Sequence, residues 1–341
     1  MRAAIFEGPG NVRVEQVPDS EIELETDAVV RVTHAALCGG DLWSYRGYGR
    51  REPGARVGHE FTGVVEAVGR DVRSIRVGDV VVAPLTFSDG TCEYCLAGLQ
   101  SSCVDGGVWG EPGHDGAFAE AVRVPYADGT LVIVPASLHG APDRVLPLAD
   151  VMCTGEHAAR AAGVGFGMTV AVIGDGAVGL CAALAASRHG AARIIVVGHH
   201  ADRLELAKRF GATETVQAHG EEAVEAVMSS TGGVDAAIEC VGAQLAMETA
   251  LAIARDNTTI GYVGTPHTVS GVDLASLFNR NIALRGGSCP ARSYIPTLMA
   301  QIAGGGLDPS PVFDRVVTLD GVPAGYTAMD EREALKVMIT G

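Results

Sequence analysis

Positive charge, aromatic side chains and long apolar runs are all scarce in this 341-residue chain. The formal net charge is −16, and lysine occurs only as Lys208 and Lys336. A nucleic-acid-binding protein presents a basic patch, and an anionic membrane surface repels negative charge, so we expect neither partner. The apolar fraction of 47% is ordinary for a globular protein, and the length predicts two domains.

Export and membrane signals are also lacking. The segment 1–17 carries Arg2 and Glu7 and has no apolar h-region. The most apolar stretch, residues 170–186, contains Asp175 and several glycines, and no run is long enough to span a bilayer without a charge. We therefore expect a cytoplasmic protein. In that compartment, the eight cysteines predict metal-binding or catalytic roles rather than disulfides.

The hydrophobic pattern changes near the middle of the chain. Residues 1 to about 150 contain short alternating apolar stretches, such as 29–33, 61–68 and 77–82, punctuated by glycine and proline. This pattern predicts a β-barrel or sandwich. After Asp150, apolar strands alternate with alanine-rich helices, which predicts a doubly wound parallel sheet. The tail beyond about residue 290 lacks this alternation, and we expect it to return to the first domain.

A glycine-rich fingerprint, Gly174-x-Gly176-x-x-Gly179, follows the predicted strand 169–173 and opens the predicted helix 177–189. Glycine lets the backbone turn tightly and approach a pyrophosphate, and the helix N-terminus offers free N–H groups to its charge. Within repeated β-α-β units the fingerprint predicts a dinucleotide site that includes Gly174, Gly176, Val178 and Gly179. The alternative is a tight turn without a ligand.

The end of the second strand bears on which dinucleotide binds. NAD-binding sites place an acidic residue there to hold the ribose 2′-hydroxyl. This chain has Gly198, His199 and His200, followed by Arg203. A carboxylate would repel a 2′-phosphate, whereas glycine leaves room for one, and the histidines or Arg203 can pair with it. We therefore predict a preference for NADP(H) over NAD(H). In the alternative, the histidines cap the next helix and either cofactor is used.

Side chains of zinc-ligand type suggest two metal sites. Cys38, His59 and Asp150 are such residues, and three protein ligands leave a fourth position open for catalysis, but their spacing alone does not join them. The second site has a spacing of its own. Cys92-x2-Cys95-x7-Cys103 lies in a glycine-rich loop, and clustered thiols of this kind indicate a structural zinc lobe.

Taken in order, the motifs of the chain resemble those of the zinc-containing medium-chain alcohol and polyol dehydrogenases. They are Cys38-Gly-Gly-Asp41, Gly58-His-Glu60, Val77-Gly-Asp79, Asp150-x-x-x-Thr154-Gly155 and the glycine-rich fingerprint. The resemblance implies a GroES-like β-barrel catalytic domain, residues 1–150 and 291–341, that holds the zinc. It also implies a Rossmann domain, residues 151–290, an active site between the two, and a homodimer or homotetramer.

The resemblance further implies a catalytic zinc bound by Cys38, His59 and Asp150. Cys153 is the competing candidate for the third ligand, and the family's spacing before Thr-Gly selects Asp150. Glu60 would be a nearby carboxylate that can approach the metal.

Other roles follow from the same resemblance. Thr154 is expected against the nicotinamide, and Trp109 either lines the substrate pocket or belongs to the core. In the structural lobe, Asp89 occupies the position of the family's first cysteine. The implied ligands are therefore Asp89, Cys92, Cys95 and Cys103, and the alternative is a lobe folded without metal.

The chain departs from the family at the proton relay. Family members usually carry serine or threonine two residues after the zinc cysteine, and this chain has Gly40 there; Trp43 replaces a histidine that is often found nearby. One explanation is that water in the vacated space, or Tyr45 or Tyr48, carries the proton. Another is a substrate such as an iminium ion, which needs no relay. In a third, Gly40 only enlarges the pocket.

These features predict a zinc-dependent oxidoreductase that transfers hydride between NADP(H) and a secondary alcohol, polyol or ketone. An alternative is an NADPH-dependent reductase of imines, iminium ions or conjugated C=C bonds on the same scaffold. Gly40 favours that alternative, and the intact set of zinc ligands disfavours it. A third hypothesis, a non-enzymatic nicotinamide-binding sensor or structural protein that keeps the fold, has only the missing relay in its favour.

Overall fold

The computed structural model describes residues 1–49, 51–111 and 113–341, which form two compact units. The first unit comprises Met1–Cys153 and Pro290–Gly341, and the second comprises Thr154–Cys289. The boundary falls inside one helix, near the position at which the hydrophobic pattern of the sequence changes.

Short strands and single helical turns make up the first part of the chain. The strands are β1 (Arg2–Gly8), β2 (Asn11–Gln16), β3 (Ala28–Ala36), β4 (Ala55–Arg56), β5 (Phe61–Val68), β6 (Val80–Ala83), β7 (Thr86–Phe87), β8 (Gly107–Val108), β9 (Ala121–Val124) and β10 (Val132–Ile133). The helices are α1 (Asp41–Tyr45), α2 (Glu93–Leu96), α3 (Ala127–Thr130) and α4 (Pro142–Val145), with 3-10 turns at Gln100–Ser102, Ala136–Leu138 and Leu146–Ala149.

The middle of the chain alternates strictly between strand and helix. Its helices are α5 (Val151–Ala161), α6 (Ala177–Arg188), α7 (Ala201–Arg209), α8 (Gly220–Thr231), α9 (Gln244–Ile253) and α10 (Leu274–Arg280). Its strands are β11 (Thr169–Ile173), β12 (Arg193–Gly198), β13 (Glu214–Gln217), β14 (Val234–Glu239), β15 (Ala254–Tyr262) and β16 (Ala283–Gly286).

The C-terminal tail corrects one expectation from the sequence, because it too alternates between helix and strand. It contains α11 (Ala291–Ala303), β17 (Arg315–Thr318), α12 (Val322–Asp330) and β18 (Val337–Thr340), with 3-10 turns at Ser310–Val312 and Leu319–Gly321. The strands β17 and β18 pair in parallel, and β18 pairs antiparallel with β3 of the first unit. Each strand has four residues, the shortest length over which hydrophobic alternation indicates a strand.

Strand β3 is central to the first unit. The main sheet runs β10-β6-β5-β3-β18-β17, with β9 also paired to β3; a smaller sheet runs β2-β1-β4, and β7 pairs with β8. The core includes Phe61, Phe87 and Trp109. The Trp109 ring packs edge-on against the other two, at centroid distances of 5.2 and 5.4 Å, and its Nε1 donates to the Pro84 carbonyl at 2.8 Å. Trp109 is 1% exposed and is therefore a core residue.

The second unit is a six-stranded parallel sheet in the order β13-β12-β11-β14-β15-β16. Strands covered by helices on both faces are nearly continuous in apolar residues, and four of the five residues of β11 are buried. The strand order reverses between β11 and β14. In doubly wound sheets, ligands bind beyond the carboxyl ends of the strands at such a reversal, and the fingerprint directly follows β11. Among the described residues, no helix is both long and apolar enough to cross a membrane.

Candidate catalytic centre and cofactor site

The thiol of Cys38 is held in the short turn that joins β3 to α1. Asp41, the first residue of α1, accepts a hydrogen bond from the Cys38 backbone N–H through Oδ2 at 3.1 Å. The Gly40 N–H donates to Cys38 Sγ at 3.3 Å. Both contacts are local, so the Cys-Gly-Gly-Asp sequence itself fixes where the thiol points.

His59 follows a glycine that the packing requires. Gly58 has φ +106, and a Cβ atom there would lie 2.2 Å from the Phe118 ring. The His59 imidazole is nearly buried, with Nε2 3.4 Å from Asp150 Oδ2 and Nδ1 3.4 Å from Asp41 Oδ1. A carboxylate behind a ligating histidine fixes its tautomer and orientation, so Asp41 suits His59 for metal binding through Nε2.

Asp150 completes the cluster from the residue that precedes α5. Its Oδ2 lies 3.3 Å from Cys38 Sγ and 3.4 Å from His59 Nε2. Zinc bonds of about 2.0–2.3 Å at tetrahedral angles place ligand atoms about 3.3–3.5 Å apart, so both the donor types and their spacing fit zinc. The Cys153 thiol instead donates to the Leu148 carbonyl at 3.0 Å.

Burial and mutual charge set the protonation of these groups. Burial, with help from the Asp150 carboxylate, raises the pKa of Cys38 to about 12. Burial alone would lower the pKa of His59, but the Asp41 and Asp150 carboxylates outweigh it and raise that pKa well above its usual value. Because zinc binds thiolate and neutral imidazole, metal binding here must release protons.

Glu60 faces a buried lysine. Lys336, one residue before β18, places Nζ 2.7 Å from Glu60 Oε1 and 3.2 Å from the Leu37 carbonyl oxygen, and its side chain is 1% exposed. Burial raises the pKa of Glu60 to about 7, against the opposing effect of the ammonium. The Lys336 ammonium therefore ties the residue before Cys38 and the residue after His59 to the C-terminal strand.

The second cluster lies in the loop around α2. Ligand atoms of Asp89, Cys92, Cys95 and Cys103 are within 4.8 Å of one another, and the Sγ atoms of Cys92 and Cys103 are 3.9 Å apart. Tetrahedral zinc separates two thiolates by about 3.8 Å, so the spacing fits zinc. Asp89 Oδ1 accepts the N–H groups of Thr91 and Cys92 at 2.6 and 2.9 Å. These bonds outweigh burial and lower the pKa of Asp89 to about 2, which leaves an ionised carboxylate.

In the second unit, the fingerprint has the close packing that glycine allows. Gly176 is the N-cap of α6, and Val178 lies in the first turn of that helix. A Cβ atom on Gly179 would lie 1.9 Å from the Gly174 carbonyl oxygen, so only glycine fits at that position. The chain thus brings backbone and a helix N-terminus together at the carboxyl end of β11, as pyrophosphate binding requires.

The Asp175 carboxylate occupies the space beside Gly198. A Cβ atom on Gly198 would lie 2.5 Å from Asp175 Oδ2, so the Asp175 carboxylate already fills that space. The same Oδ2 accepts the N–H groups of His199 and His200 at 2.7 and 2.8 Å and contacts His200 Nδ1 at 2.9 Å. Although His200 is the N-cap residue of α7, its side chain makes no capping bond. Arg203 is half-buried in the first turn of α7.

The structure also shows the surroundings of Gly40 and of Tyr45 and Tyr48, the two tyrosines considered as proton carriers. The Tyr45 ring stacks on Tyr326, and its hydroxyl lies 3.4 Å from Thr327 Oγ1. Tyr48 is 66% exposed and packs edge-on against Trp43. Gly40 has φ −62 and ψ −33, which any residue adopts, and a Cβ atom there would have Cys38 Sγ at 3.6 Å as its nearest neighbour. The fold therefore permits a hydroxyl-bearing side chain that the sequence does not supply.

Comparison with known proteins agrees with this architecture. One family model, the alcohol dehydrogenase GroES-like domain, matches residues 24–136, and another, the zinc-binding dehydrogenase, matches residues 177–304. Zinc-type alcohol dehydrogenase B of Aspergillus flavus is 34% identical over 99% of this chain and 81% of its own length. The chain belongs to the zinc-containing medium-chain dehydrogenase/reductase family.

Two solved structures extend the comparison. An alcohol dehydrogenase of Thermus sp. ATN1 matches with a TM-score of 0.92 and 35% identity, over 100% of this chain and 99% of that one. A Sinorhizobium meliloti protein, described as a putative zinc-binding dehydrogenase, was solved bound to NADP; it matches at 26% identity with a TM-score of 0.85, over 100% and 99% of the two chains. The chain is thus a zinc-dependent oxidoreductase with a nicotinamide cofactor, from a family that acts on small-molecule alcohols.

Several residues of these sites were not assigned from the sequence. Asp41 appeared only as part of a motif, and Asp175 only as a charge in an apolar stretch. Lys336 was noted only for the scarcity of lysine. The signal for Lys336 was available, because a lone lysine among Ala334, Leu335 and Val337 is a charge in a buried strand-like segment.

Thr154 lies in the first turn of α5 and is buried.

Replacing Lys336 with methionine should destabilise the first unit by about 3–5 kcal/mol, because it leaves the Glu60 carboxylate buried without its partner. The double variant Lys336→Met/Glu60→Gln should recover much of that loss. Urea denaturation of the zinc-loaded protein at pH 8 measures both effects. The control is Lys208→Met at the other lysine, which is half-exposed and pairs with Glu205. Equal losses of unfolding free energy in the two lysine variants would show that the buried ion pair contributes no more to stability than the exposed pair does.

The two clusters predict two zinc ions per chain. Asp89→Asn keeps an oxygen that can accept the loop N–H groups but removes the charged ligand, so elemental analysis should find one zinc fewer. Asp89→Cys supplies a thiolate and should retain both ions, which separates ligation from loop capping. Full zinc content in Asp89→Asn would remove Asp89 from the ligand set.

Proposed function

We propose that this protein is a zinc-dependent alcohol dehydrogenase or carbonyl reductase that transfers hydride between NADP(H) and a secondary alcohol, polyol or ketone. The observation that carries the proposal is the position of Asp150 Oδ2, 3.3 Å from Cys38 Sγ and 3.4 Å from His59 Nε2, with Asp41 behind the imidazole. Three protein ligands of these types leave a coordination position for substrate. The family resemblance also leads us to expect a homodimer or homotetramer.

Each residue of the centre has its own proposed role. Cys38, His59 and Asp150 hold the metal, and Asp41 keeps the His59 ring turned so that Nε2 faces it. When bound, zinc supplies Lewis acidity toward the substrate oxygen. Lys336 neutralises Glu60, so that this carboxylate does not add a further unpaired negative charge beside the substrate position. Thr154, in the first turn of α5, is the proposed neighbour of the nicotinamide.

The preference for NADP(H) rests on the loop that follows β12. No carboxylate extends from residue 198, and the side chains of His199, His200 and Arg203 lie on the loop and the first turn of α7. Imidazole and guanidinium groups are donors for a 2′-phosphate. The NADP-bound Sinorhizobium protein supports a nicotinamide cofactor but, at 26% identity, does not decide between its two forms.

One observation favours a second function, the reduction of C=N or conjugated C=C bonds. Gly40 has no exchangeable side-chain proton, and the Tyr45 hydroxyl contacts Thr327. A substrate that accepts hydride without forming an alkoxide would not need a proton carrier at this position. The first function remains the better supported one, because the open space beside Gly40 can admit water.

The proposal is tested by following NADPH oxidation by the zinc-loaded protein with aldehydes, ketones, ketosugars and cyclic imines. Turnover of a carbonyl substrate would support the dehydrogenase function and show that Gly40 does not prevent proton delivery. Turnover of imines alone would favour the second function, and the absence of any turnover would contradict both.

Substituting serine for Gly40 should raise kcat for alcohol oxidation by about tenfold, less than the roughly 10²–10⁴-fold of full general acid–base catalysis, because water already serves the wild type. The backbone conformation at position 40 and the 3.6 Å spacing to Cys38 Sγ accommodate the side chain. Gly40→Ala fills the same space without a hydroxyl and should not accelerate the reaction. If serine and alanine have the same effect, proton transfer at this position does not limit the enzyme.

The cofactor preference has its own measurement. Fluorescence titration should give a dissociation constant about tenfold lower for NADPH than for NADH, the effect of one additional charge-assisted hydrogen bond. Equal or reversed affinities would refute the NADP(H) preference while leaving the zinc chemistry untouched.

A further inference from the structure

A cluster of polar side chains gathers beyond the carboxyl ends of β11, β12 and β13. Asp175 comes from the fingerprint loop after β11, His199 and His200 follow β12, and His219 follows β13 by two residues. The His199 ring centroid lies 5.0 Å from that of His219 and 6.2 Å from that of His200. The histidine cluster (His199, His200 and His219) thus combines two separate loops, and His219 had no role in the motif analysis.

Asp175 holds part of this cluster in place through hydrogen bonds to the His199–His200 segment. One oxygen, Oδ2, receives two backbone N–H groups of the His199–His200 segment and lies 2.9 Å from His200 Nδ1. The carboxylate is nearly buried, and Asp175 and His200 form an ion pair when His200 is protonated. Three contacts to a single oxygen fix both the path of the loop and the orientation of the His200 ring, with Nε2 at the far side of the ring from Asp175.

The same carboxylate excludes a side chain at the end of β12. Asp175 Cβ, Cγ and Oδ2 all lie 2.5–2.6 Å from the position of a Cβ atom on Gly198. The fold can therefore accommodate Asp175 or an acidic side chain at position 198, but the two together would require a rearrangement. The two placements differ in consequence: an acid at position 198 would face the ribose, whereas the Oδ2 of Asp175 is already engaged by the His199–His200 segment.

We propose that Asp175 is a positioning residue that sets cofactor selectivity: it holds the His199–His200 loop so that the histidine cluster, including His219, receives the 2′-phosphate of NADP(H). This inference rests on the proposed NADP(H) preference and deepens it. Asp175 supplies the structural order, and the imidazoles supply the hydrogen-bond donors. The Asp175 carboxylate repels the phosphate less than a strand-end acid would, because its Oδ2 is held by two backbone N–H groups and by the His200 ring.

The test uses the full-length, zinc-loaded protein and two adenosine fragments, 2′,5′-ADP and 5′-AMP, which differ only in the 2′-phosphate. Isothermal titration measures both dissociation constants and requires no catalytic turnover. Asp175→Ala should weaken 2′,5′-ADP binding about tenfold and change 5′-AMP binding less than about twofold, because the donors to the 2′-phosphate lose their fixed position. Asp175→Asn keeps an acceptor oxygen for the loop and should restore most of the selectivity.

A merely structural role for Asp175 predicts a different result, in which both fragments bind more weakly by the same factor. That result would overturn the proposal. If the alanine variant fails to fold, His219→Ala still tests the cluster, because loss of an exposed imidazole should reduce affinity for 2′,5′-ADP alone. No change in His219→Ala would remove that residue from the site.

The collision between Asp175 and a side chain at position 198 allows a second, independent test. Gly198→Asp alone should weaken both fragments, since its side chain collides with Asp175. The double variant Asp175→Gly/Gly198→Asp clears the space and should bind 5′-AMP at least as well as 2′,5′-ADP. Double-variant selectivity equal to that of the wild type would contradict the proposed exclusion.

The control for charge is Glu205→Ala on α7. It removes the same charge, but Glu205 is exposed and pairs with Lys208. It should leave the ratio of the two dissociation constants within about twofold, as expected for a screened surface charge. A wild type that binds both fragments equally would refute the NADP(H) preference itself. Preference in the wild type that survives in Asp175→Ala would refute only the role of Asp175.

Discussion

The buried ion pair between Lys336 and Glu60 is the interaction on which the candidate catalytic centre depends. Its two side chains are 1% and 0% exposed, and a charge in such surroundings is tolerated only when it is paired and hydrogen-bonded. Through Glu60 and the Leu37 carbonyl, the ammonium reaches the residues adjacent to His59 and Cys38. The last strand of the chain is thereby tied to two proposed ligands that lie far away in the sequence.

The same balance of buried charge explains why the centre suits a divalent cation. With Cys38 as thiolate and Glu60 ionised, the anionic groups are Cys38, Asp41, Glu60 and Asp150. Among the described residues, Arg51 and Lys336 are the arginine and lysine that pair with them. Four negative charges against two positive ones leave a deficit of two. A bound Zn²⁺ balances it, and protonation of Cys38 and His59 balances it otherwise. The raised pKa of His59, which the Asp41 and Asp150 carboxylates cause against the effect of burial, agrees with that second arrangement.

Sequence motifs predicted some features of these sites and missed others for a physical reason. The thiols of Cys92, Cys95 and Cys103 could be proposed as a metal lobe from their spacing because they are close along the chain, whereas Asp89 was added only by the family resemblance. The fingerprint could be predicted because its glycines make local contacts, such as that of Gly179 with Gly174. Asp175 and Gly198 meet only because β11 and β12 lie side by side in a parallel sheet, and no local pattern contains that contact. The tail strands β17 and β18 were missed because they are short.

Two glycines that look alike in the sequence have opposite meanings in the structure. Gly40 and Gly198 each stand where related enzymes commonly carry a functional side chain. At Gly40 the space is open, with Cys38 Sγ at 3.6 Å as the nearest atom, so no packing or backbone constraint requires glycine there. At Gly198 the space is filled by Asp175, so glycine is what allows the fingerprint loop and the loop after β12 to pack together. The first glycine therefore bears on the chemistry of the reaction, whereas the second bears on which residues build the cofactor site.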